Sequence, residues 1–333
     1  MPSSISLDAE ETAPQRLTAR IPAHLAGRRL DQALAELFAG YSRARLQQWV
    51  RGGQVRVNRA QWRPRDKVRG GETVEILASM AQETPWQPEA LALDIVYEDT
   101  ALLVINKPPG LVVHPGAGNR AGTLLNALLH YAPELAGVPR AGIVHRLDKD
   151  TSGLLVVARD LSAQKNLVEQ LQAHTVRREY DAVVVGVMTA GGRVDRAVGR
   201  HPSQRTRMAV ARPESKRGKP AVTHYRVLER FRAHTYVRAR LETGRTHQIR
   251  VHMAHIHHPL VGDPLYGGRL RIPKGASEQL IDTLRNFKRQ ALHAGSLGLI
   301  HPRSGAAMQW SAPLPADMAR LLEALRADVQ ASS

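Results

Sequence analysis

A short charged loop between two apolar runs is the segment of this sequence best suited to chemistry. The stretch AGIVHRLDKDTSGLLVVARD (141–160) sets two carboxylates, Asp148 and Asp150, among basic residues and between the apolar runs 142–144 and 153–158. We expect both runs to be buried strands, which would hold the loop on a rigid support. Partial burial raises a carboxyl pKa and adjacent cations lower it, so an enclosed carboxylate can stay ionised here.

Two other interpretations of this loop remain open. The carboxylates could cap a turn and pair with Arg146 on the surface. They could also form the acid and base of a glycoside or nucleoside hydrolase.

A second segment, LETGRTHQIRVHMAHIHHPLVGDPLYGG (241–268), combines a turn, a helix start and arginines. Gly244 permits a tight turn, and we expect Thr246 to cap a helix that runs through residue 255. Arg245 and Arg250 flank the start of this helix. Either arginine could pair with a buried carboxylate or hold a phosphate, or be an ordinary solvated side chain.

Five histidines lie between residues 247 and 258 of the same segment. The H-E-x-x-H zinc pattern is absent, and no acidic ligand is interleaved before Asp263. We therefore expect imidazoles in an RNA-facing region and no metal, with a histidine-rich metallohydrolase as an alternative.

Two further segments are candidates for contact with a nucleic acid. Tyr180 begins an apolar strand just after Arg177 and Arg178, where it could stack on an extruded base or simply belong to the core. The stretch 199–227 is rich in Arg, Lys, Gly and Pro. It predicts either a mobile basic hairpin that contacts RNA or a solvated connection.

The elements that must position these residues divide the chain into two parts. We expect a disordered tail at 1–15, a basic domain at 16–80 and a linker at 81–90. A larger domain at 91–325 and a tail at 326–333 would complete the chain. Runs of strands with scattered helices favour an α+β fold.

Periodicity and capping residues predict particular elements. The basic domain is expected to contain one helix with Leu30, Ala33, Leu34 and Leu37 on one face and a second helix at 43–50 that Ser42 caps. Strands are expected at 55–58 and 73–76. In the larger domain we expect strands at 95–97 and 102–105 and helices at 123–131, 162–172 (capped by Ser162) and 315–329.

Charge and composition narrow the class of partner. The 333 residues carry a formal net charge of +17, and residues 16–80 hold 13 basic against five acidic side chains. Such a surplus indicates a polyanionic partner, most simply a nucleic acid. A membrane partner would call for a basic amphipathic segment or a lipidation motif, and neither is present.

The cellular setting follows from what the sequence lacks. The chain has no cysteine, which excludes disulfides and thiol chemistry and fits a reducing compartment. The polar N-terminus resembles no secretory signal, and no apolar run is long enough for a membrane span. We expect a cytoplasmic protein.

Taken in order, the motifs resemble one family. The stretches HRLDKDTSGLLVVA, REY, LETGRTHQIRVHM and HPLVGDPLYGG resemble the RluA family of pseudouridine synthases. The basic domain, with RLDQALAEL and SRARLQQWVRGGQVRVN, resembles an S4 RNA-binding domain. The resemblance covers roughly residues 16–325.

The resemblance implies a fold and an activity. The fold would be a small S4-like α/β domain followed by a mixed, mostly antiparallel β-sheet domain with flanking helices and a central basic cleft. The activity would be the isomerisation of uridine to pseudouridine in large-subunit (23S) ribosomal RNA, in the intersubunit stem-loop, without cofactor or metal. The substrate would be free RNA or an assembling subunit, and the enzyme a monomer. The alternative is a non-catalytic RNA-binding factor for ribosome assembly on the same fold.

It also implies roles for individual residues. Asp148 would be the catalytic aspartate, Tyr180 would stack on the uracil, and Arg245 would pair with Asp148. Arg146 would occupy the space left by the departing base, and Asp150 would be structural. We expect the RNA-binding residues to be Arg43, Arg45, Arg51, His145, Arg146, Arg205 and Arg207.

Overall fold

The structure is a computed structural model that describes residues 15–38, 41, 43–78, 86–116, 118–204, 206–212 and 218–331. The chain divides into two compact units, Met1–Pro85 and Trp86–Ser333. The expected N-terminal tail (except Gln15), part of the expected linker, Ser42 and Arg205 lie outside the described residues.

The first unit is a three-stranded antiparallel sheet of order β1-β3-β2 with two helices. Leu30, Ala33 and Leu34 of the first helix are fully buried, as their helical spacing predicts. The sequence patterns missed β1, in which exposed residues, among them Arg16 and Arg20, alternate with half-buried ones. The elements are β1 (Gln15–Arg20), α1 (Leu30–Leu37), α2 (Arg43–Arg51), β2 (Val55–Val57) and β3 (Thr73–Ala78).

The second unit is built on a nine-stranded mixed sheet of order β4-β5-β6-β13-β7-β12-β11-β8, with β14 paired to β13. Its strands are β4 (Ile95–Glu98), β5 (Leu102–Lys107), β6 (Ser152–Ala158), β7 (Arg177–Val185), β8 (Gly192–Asp195), β11 (Val222–Arg230), β12 (His234–Leu241), β13 (Leu292–Ile300) and β14 (Ala307–Ser311). Neighbouring strands run antiparallel except β6 and β13. The expected α+β fold with a mixed, mostly antiparallel sheet is confirmed.

The parallel contact at the centre of this sheet is short. Ser152 and Gly153 of β6 pair with His293 and Ala294 of β13. Further along the same edge, from Ser296 onward, β13 pairs with β14 instead. The sheet therefore consists of two antiparallel halves, β4-β5-β6 and β13-β7-β12-β11-β8, that are joined by a two-residue seam.

In the described part of this unit, five α-helices pack on the sheet and at its edges. They are α3 (Leu124–Tyr131), α4 (Leu161–Gln172), α5 (Gln248–His255), α6 (Glu278–Asn286) and α7 (Ala316–Gln330). A two-stranded hairpin of β9 (Val198–Arg200) and β10 (Met208–Val210) lies within the basic segment, where we expected a hairpin. Among the described residues no helix is both long and apolar enough to cross a membrane.

Two predicted helix starts need correction. The N-cap of α4 is Asp160, whose carboxylate accepts a hydrogen bond from the Ala163 amide at 2.8 Å, so Ser162 lies inside the helix. The N-cap of α5 is His247, in a left-handed conformation with φ 56°, and Thr246 precedes it.

The C-terminal helix α7 ends at Gln330, close to the predicted end at residue 329, and so includes the first residues of the expected tail at 326–333. Asp328 is buried, and its carboxylate accepts hydrogen bonds from the Arg232 guanidinium at 3.1 Å and the Ser277 amide at 2.7 Å. These buried contacts hold the last turns of α7 against the domain.

The core lies on both faces of the sheet. Alternate residues of β5 and β6, such as Ile105 and Leu155, pack in one cluster with α3. Their neighbours, such as Val104 and Val156, pack in another cluster with α4. Both faces of β6 are covered, which explains why its sequence is a continuous apolar run.

The run 142–144 is not a strand, contrary to our expectation. Arg140, Ala141 and Gly142 all have positive φ (56°, 50° and 76°), so the chain turns repeatedly instead of extending. Ile143 makes a single bridge to Val157 of β6. The charged loop therefore follows a tight 3₁₀ turn (Pro139–Gly142) and leads into β6.

Candidate active site

A cavity of about 830 Å³ opens in the second unit where several loops meet. Asp148, Tyr180 and Arg245 all line it, although they are far apart in the sequence. Arg146 and His145 line it too. The structure thus brings together the residues that we predicted to be catalytic, in a volume suited to a nucleotide-sized group.

Buried hydrogen bonds fix the loop that carries Asp148. The Lys107 ammonium, which is fully buried, donates to the backbone carbonyls of Lys149 (2.9 Å), Leu111 (2.9 Å) and Pro108 (2.8 Å). Burial lowers the pKa of Lys107 to about 7, against the opposing attraction of Asp150 and Asp148. Lys107 is not recognisable as a site residue from the sequence, because nothing in an apolar strand indicates that its last residue donates hydrogen bonds to a distant loop.

The other end of the loop is fixed by close packing against β13. Gly153 has φ 109°, and a Cβ there would lie only 2.3 Å from the Ala294 carbonyl oxygen. Arg289 donates from Nη1 to the Asp150 carbonyl at 3.1 Å, and Gln290 from its amide nitrogen to Thr151 Oγ1 at 3.1 Å. The loop is thus held from both sides of the sheet seam.

Asp148 is paired with Arg250. The distance from Nη1 of Arg250 to Oδ2 of Asp148 is 2.9 Å. The same guanidinium binds both carboxylate oxygens of Asp263, with Nε at 2.7 Å and Nη2 at 2.9 Å. Burial alone would lower the pKa of Arg250, but Asp263 and Asp148 outweigh it and raise that pKa. Arg250 is therefore a permanent counter-charge next to Asp148.

The expected pairing of Asp148 with Arg245 is wrong. Arg245 lines the cavity, but its Nε donates to the Pro220 carbonyl at 3.1 Å. Arg245 lies in the turn before α5, whereas Arg250 lies on the buried side of the helix. The Gln248 amide fixes this turn, since its oxygen accepts from the Arg245 backbone N–H at 3.0 Å and from Thr243 Oγ1 at 2.7 Å.

Tyr180 forms a wall of the cavity from β7. It is 6% exposed, and burial raises the pKa of its hydroxyl, so the ring is neutral. Arg178 lies two residues earlier on the same strand, is 7% exposed and lines the cavity as well. An aromatic face beside buried guanidinium groups is suited to a planar, polar base.

Three of the five histidines of the second segment lie inside the domain or at the cavity, whereas His255 and His257 are exposed. His252 is fully buried between Thr223 Oγ1 (2.9 Å) and the Arg196 carbonyl (2.8 Å). His258 contacts the Val185 carbonyl through Nδ1 at 3.0 Å. His247 lines the cavity. Across the described ranges, no group of three or more potential metal ligands was found.

His145, which we predicted to bind RNA, lines the cavity as a neutral ring. Its Nε2 accepts a hydrogen bond from the Val156 backbone N–H at 3.2 Å. Burial, reinforced by the Arg178 charge, lowers the pKa of His145 to about 3. A neutral ring whose Nε2 is bound to the backbone offers no charge to a phosphate, whereas the neighbouring Arg146 is exposed at the cavity.

One of the predicted RNA-binding arginines of the first unit, Arg43, contacts a buried carboxylate. Asp31 on α1 has no exposed surface and accepts from Arg43 Nη2 at 2.7 Å and Arg29 Nε at 3.0 Å. Burial raises the pKa of Asp31, but its bonds to Arg43, Gln47 and Arg29 outweigh this and lower it overall. Arg51 is exposed at the end of α2, and Arg45 is half-buried in the first turn.

In the second unit, the predicted RNA-binding residue Arg207 precedes β10. Its guanidinium lies over the Tyr266 ring at 5.1 Å from the centroid, and the Arg250 guanidinium lies at the same distance from that ring. Tyr266 thus contacts both the basic hairpin and the partner of Asp148.

The fold and the enclosed carboxylate–arginine pair define a class of RNA-modifying enzyme. A family model described as RNA pseudouridylate synthase matches residues 101–255, and a model of the S4 domain matches residues 28–74. The chain belongs to the RNA pseudouridylate synthase family.

Individual relatives refine this assignment. The chain is 60% identical to Ribosomal large subunit pseudouridine synthase D of Escherichia coli (strain K12) over 316 residues, which are 95% of this chain and 96% of the relative. It is also 60% identical to the protein of the same name from Yersinia pestis, over 316 residues that cover 95% of this chain and 96% of that relative. A solved structure, Human RNA Pseudouridylate Synthase Domain Containing 4, matches with a TM-score of 0.55 and 28% identity, covering 70% of this chain and 92% of that chain.

Proposed function

We propose that this protein isomerises specific uridines to pseudouridine in large-subunit ribosomal RNA, with Asp148 as the catalytic residue. The observation that carries the proposal is the cavity in which Asp148, held by Arg250, faces the aromatic wall Tyr180. The names of the relatives support the substrate class.

The reaction moves a base without adding or removing atoms. The bond from the ribose C1′ to N1 of uracil breaks, the base turns, and a bond from C1′ to C5 forms. The hydrogen at C5 leaves as a proton, and N1 gains one. A single ionised carboxylate next to the nucleoside is the chemical group that such a rearrangement needs.

The electrostatics of Asp148 support this role. Its side chain is 17% exposed, so it meets the cavity while most of its surface is shielded from water. An enclosed carboxylate loses hydration, and the Arg250 guanidinium supplies the counter-charge that stabilises the ionised form. Because Asp263 binds that guanidinium from the other side, the counter-charge stays next to Asp148 when the substrate moves.

The target base must leave its stack to reach this cavity. Extrusion costs a few kcal/mol, and stacking on an aromatic side chain returns about 1–3 kcal/mol of that. Tyr180 would provide the stacking face, and the exposed Arg146 would fill the space that the base leaves in the RNA. Arg245 would contact the bound nucleotide from the opposite wall.

The finer features of the proposal concern the partner and its setting. We place the target uridines in the intersubunit stem-loop of 23S ribosomal RNA and the enzyme in the cytoplasm as a monomer. The S4 domain match and the excess of basic residues support backbone contacts that add affinity but little base specificity.

Tritium release from large-subunit ribosomal RNA carrying [5-³H]uridine tests the function, because only loss of the C5 hydrogen releases the label. We expect release by the wild-type protein and none by Asp148→Asn, which keeps the size and loses the charge. Asp150→Asn is the matched control, since Asp150 carries the same group in the same loop but does not line the cavity. Wild-type protein that binds the RNA without releasing tritium, or appearance of free uracil, would refute the proposal.

A further inference from the structure

A chain of polar contacts links the basic hairpin to Asp148 through a histidine. The backbone N–H of Met208, the first residue of β10, donates to the Tyr266 hydroxyl oxygen at 2.9 Å. That oxygen lies 2.9 Å from Nδ1 of His247, and the two rings meet edge to face. The other ring nitrogen, Nε2, lies 3.8 Å from Oδ1 of Asp148.

The contacts of Tyr266 favour one of the two tautomers of His247. The hydroxyl oxygen already accepts from Met208 and has one hydrogen to donate. Among the described residues, Nδ1 of His247 is the group placed to accept that hydrogen. A neutral imidazole that accepts at Nδ1 carries its hydrogen at Nε2.

The charge state of the ring agrees with this assignment. Burial lowers the pKa of His247, and the guanidinium of Arg250 adds to the lowering, while the nearby Asp148 carboxylate opposes it. The imidazole is therefore neutral at physiological pH, with a single hydrogen to place.

We propose that His247 is a positioning residue for Asp148, acting as a neutral imidazole that Tyr266 locks with its hydrogen on Nε2. This inference rests on the proposed function of Asp148. Arg250 donates to Oδ2 at 2.9 Å, and Nε2 of His247 lies 3.8 Å from Oδ1, beyond hydrogen-bond distance but close enough for the polar N–H to attract it. The two groups lie beside different oxygens, so together they favour one rotation of the carboxylate about its Cβ–Cγ bond.

The backbone conformation at His247 is one that a histidine can adopt. Its φ of 56° is left-handed, a region in which histidine, asparagine and aspartate are all enriched over most residues. The conformation therefore permits a histidine at the wall of the cavity.

Two substitutions separate the functions of the ring nitrogens. The amide nitrogen of His247→Gln can reach the position of Nε2, whereas that of His247→Asn reaches only the position of Nδ1. Asparagine, like histidine, is enriched in the left-handed region, so a loss in that variant would not come from backbone strain.

The two variants are compared by single-turnover tritium release at saturating enzyme, and their RNA affinity is measured in parallel. We expect His247→Asn to lower the saturated rate about 10- to 100-fold with the RNA Kd changed by less than about twofold. We expect His247→Gln to retain the rate within about fivefold. Equal losses in both variants, or no loss in His247→Asn, would overturn the proposal.

The tautomer can be observed without RNA. In a ¹⁵N-labelled wild-type protein, long-range ¹H–¹⁵N spectra should show His247 with a protonated Nε2 and an unprotonated Nδ1, assigned by the signals missing in His247→Gln. In Tyr266→Phe the tautomers should mix. A proton on Nδ1, or on both nitrogens at neutral pH, would overturn the proposal even if every variant proved inactive. Failure of wild-type tritium release would instead refute the proposed function.

Discussion

Arg250 holds Asp148 and Asp263 at the same time, with one guanidinium nitrogen on the first carboxylate and two on the second. Asp263 has no exposed side-chain surface and also accepts the backbone N–H groups of Leu265 and Tyr266. The segment that follows α5 therefore anchors the arginine, and the arginine in turn anchors the aspartate in the cavity.

We predict that Arg250→Lys lowers turnover by about 100-fold or more, because an ammonium cannot bridge two carboxylates in the geometry of a guanidinium. Arg250→Ala should also lose stability, by about 3–5 kcal/mol, because it leaves Asp263 buried and unpaired. Single-turnover kinetics and chemical denaturation measure the two effects. Arg245→Lys is the control, and a larger loss there than in Arg250→Lys would restore the pairing that we first expected.

Tyr180→Ala should reduce extrusion of the target base, because the stacking face is lost, while Tyr180→Phe should preserve it. Stacking of about 1–3 kcal/mol corresponds to a change of about 5- to 150-fold in the population of the extruded state. Fluorescence of 2-aminopurine placed beside the target uridine reports this population. Equal signals from the alanine and phenylalanine variants would show that Tyr180 does not stack on the base.

Arg51→Ala should weaken RNA binding and leave the saturated rate unchanged, because Arg51 is exposed in the first unit and Asp148 lies in the second. Loss of one phosphate contact reduces the slope of log K against log salt by about 1. Titrations at several salt concentrations measure the slope. Arg320→Ala, an exposed arginine on α7, is the control, and the prediction fails if both variants keep the wild-type slope.

The free energy of unfolding should depend on pH through the titration of Lys107. Burial lowers its pKa to about 7 in the folded protein from an ordinary value of 10.5. Between these values the unfolded chain binds more protons, so the Lys107 contribution to stability rises with pH through this window and is constant below it.

Comparing the wild type with Lys107→Met across pH 6 to 11 isolates this contribution, since methionine has a similar length and no charge. We expect the free energy of unfolding of the wild type, relative to the variant, to increase from about pH 7 upward. A difference that stays level over the whole range would mean that Lys107 keeps an ordinary pKa.

Apolar periodicity predicted most of the elements but not β1, and the resemblance to a known family implied that Asp148 and Tyr180 share one site. The sequence could not decide between Arg245 and Arg250. The two arginines are five residues apart around the start of one helix, and the choice depends on where α5 begins and how it is rotated. Because α5 starts at the left-handed His247 and not at Thr246, Arg250 is the one that reaches the carboxylate.

Other differences have equally local causes. Asp160 caps α4 instead of Ser162 because an ionised oxygen reaches the third amide of the helix. Residues 142–144 are apolar enough for a strand, but the three positive φ values before Ile143 prevent one. Lys107 has no marker in the sequence, since its role depends on carbonyls that tertiary folding brings to it.

Backbone pairing between β6 and β13 is limited to two residues on each strand. Asp148 belongs to the β4-β5-β6 side, while Tyr180 and Arg250 belong to the other side. The distance between the carboxylate and its partners therefore depends on side chains that span the seam, because the core cluster joins Leu155 to Tyr180 and because Arg289 and Gln290 bind the Asp148 loop.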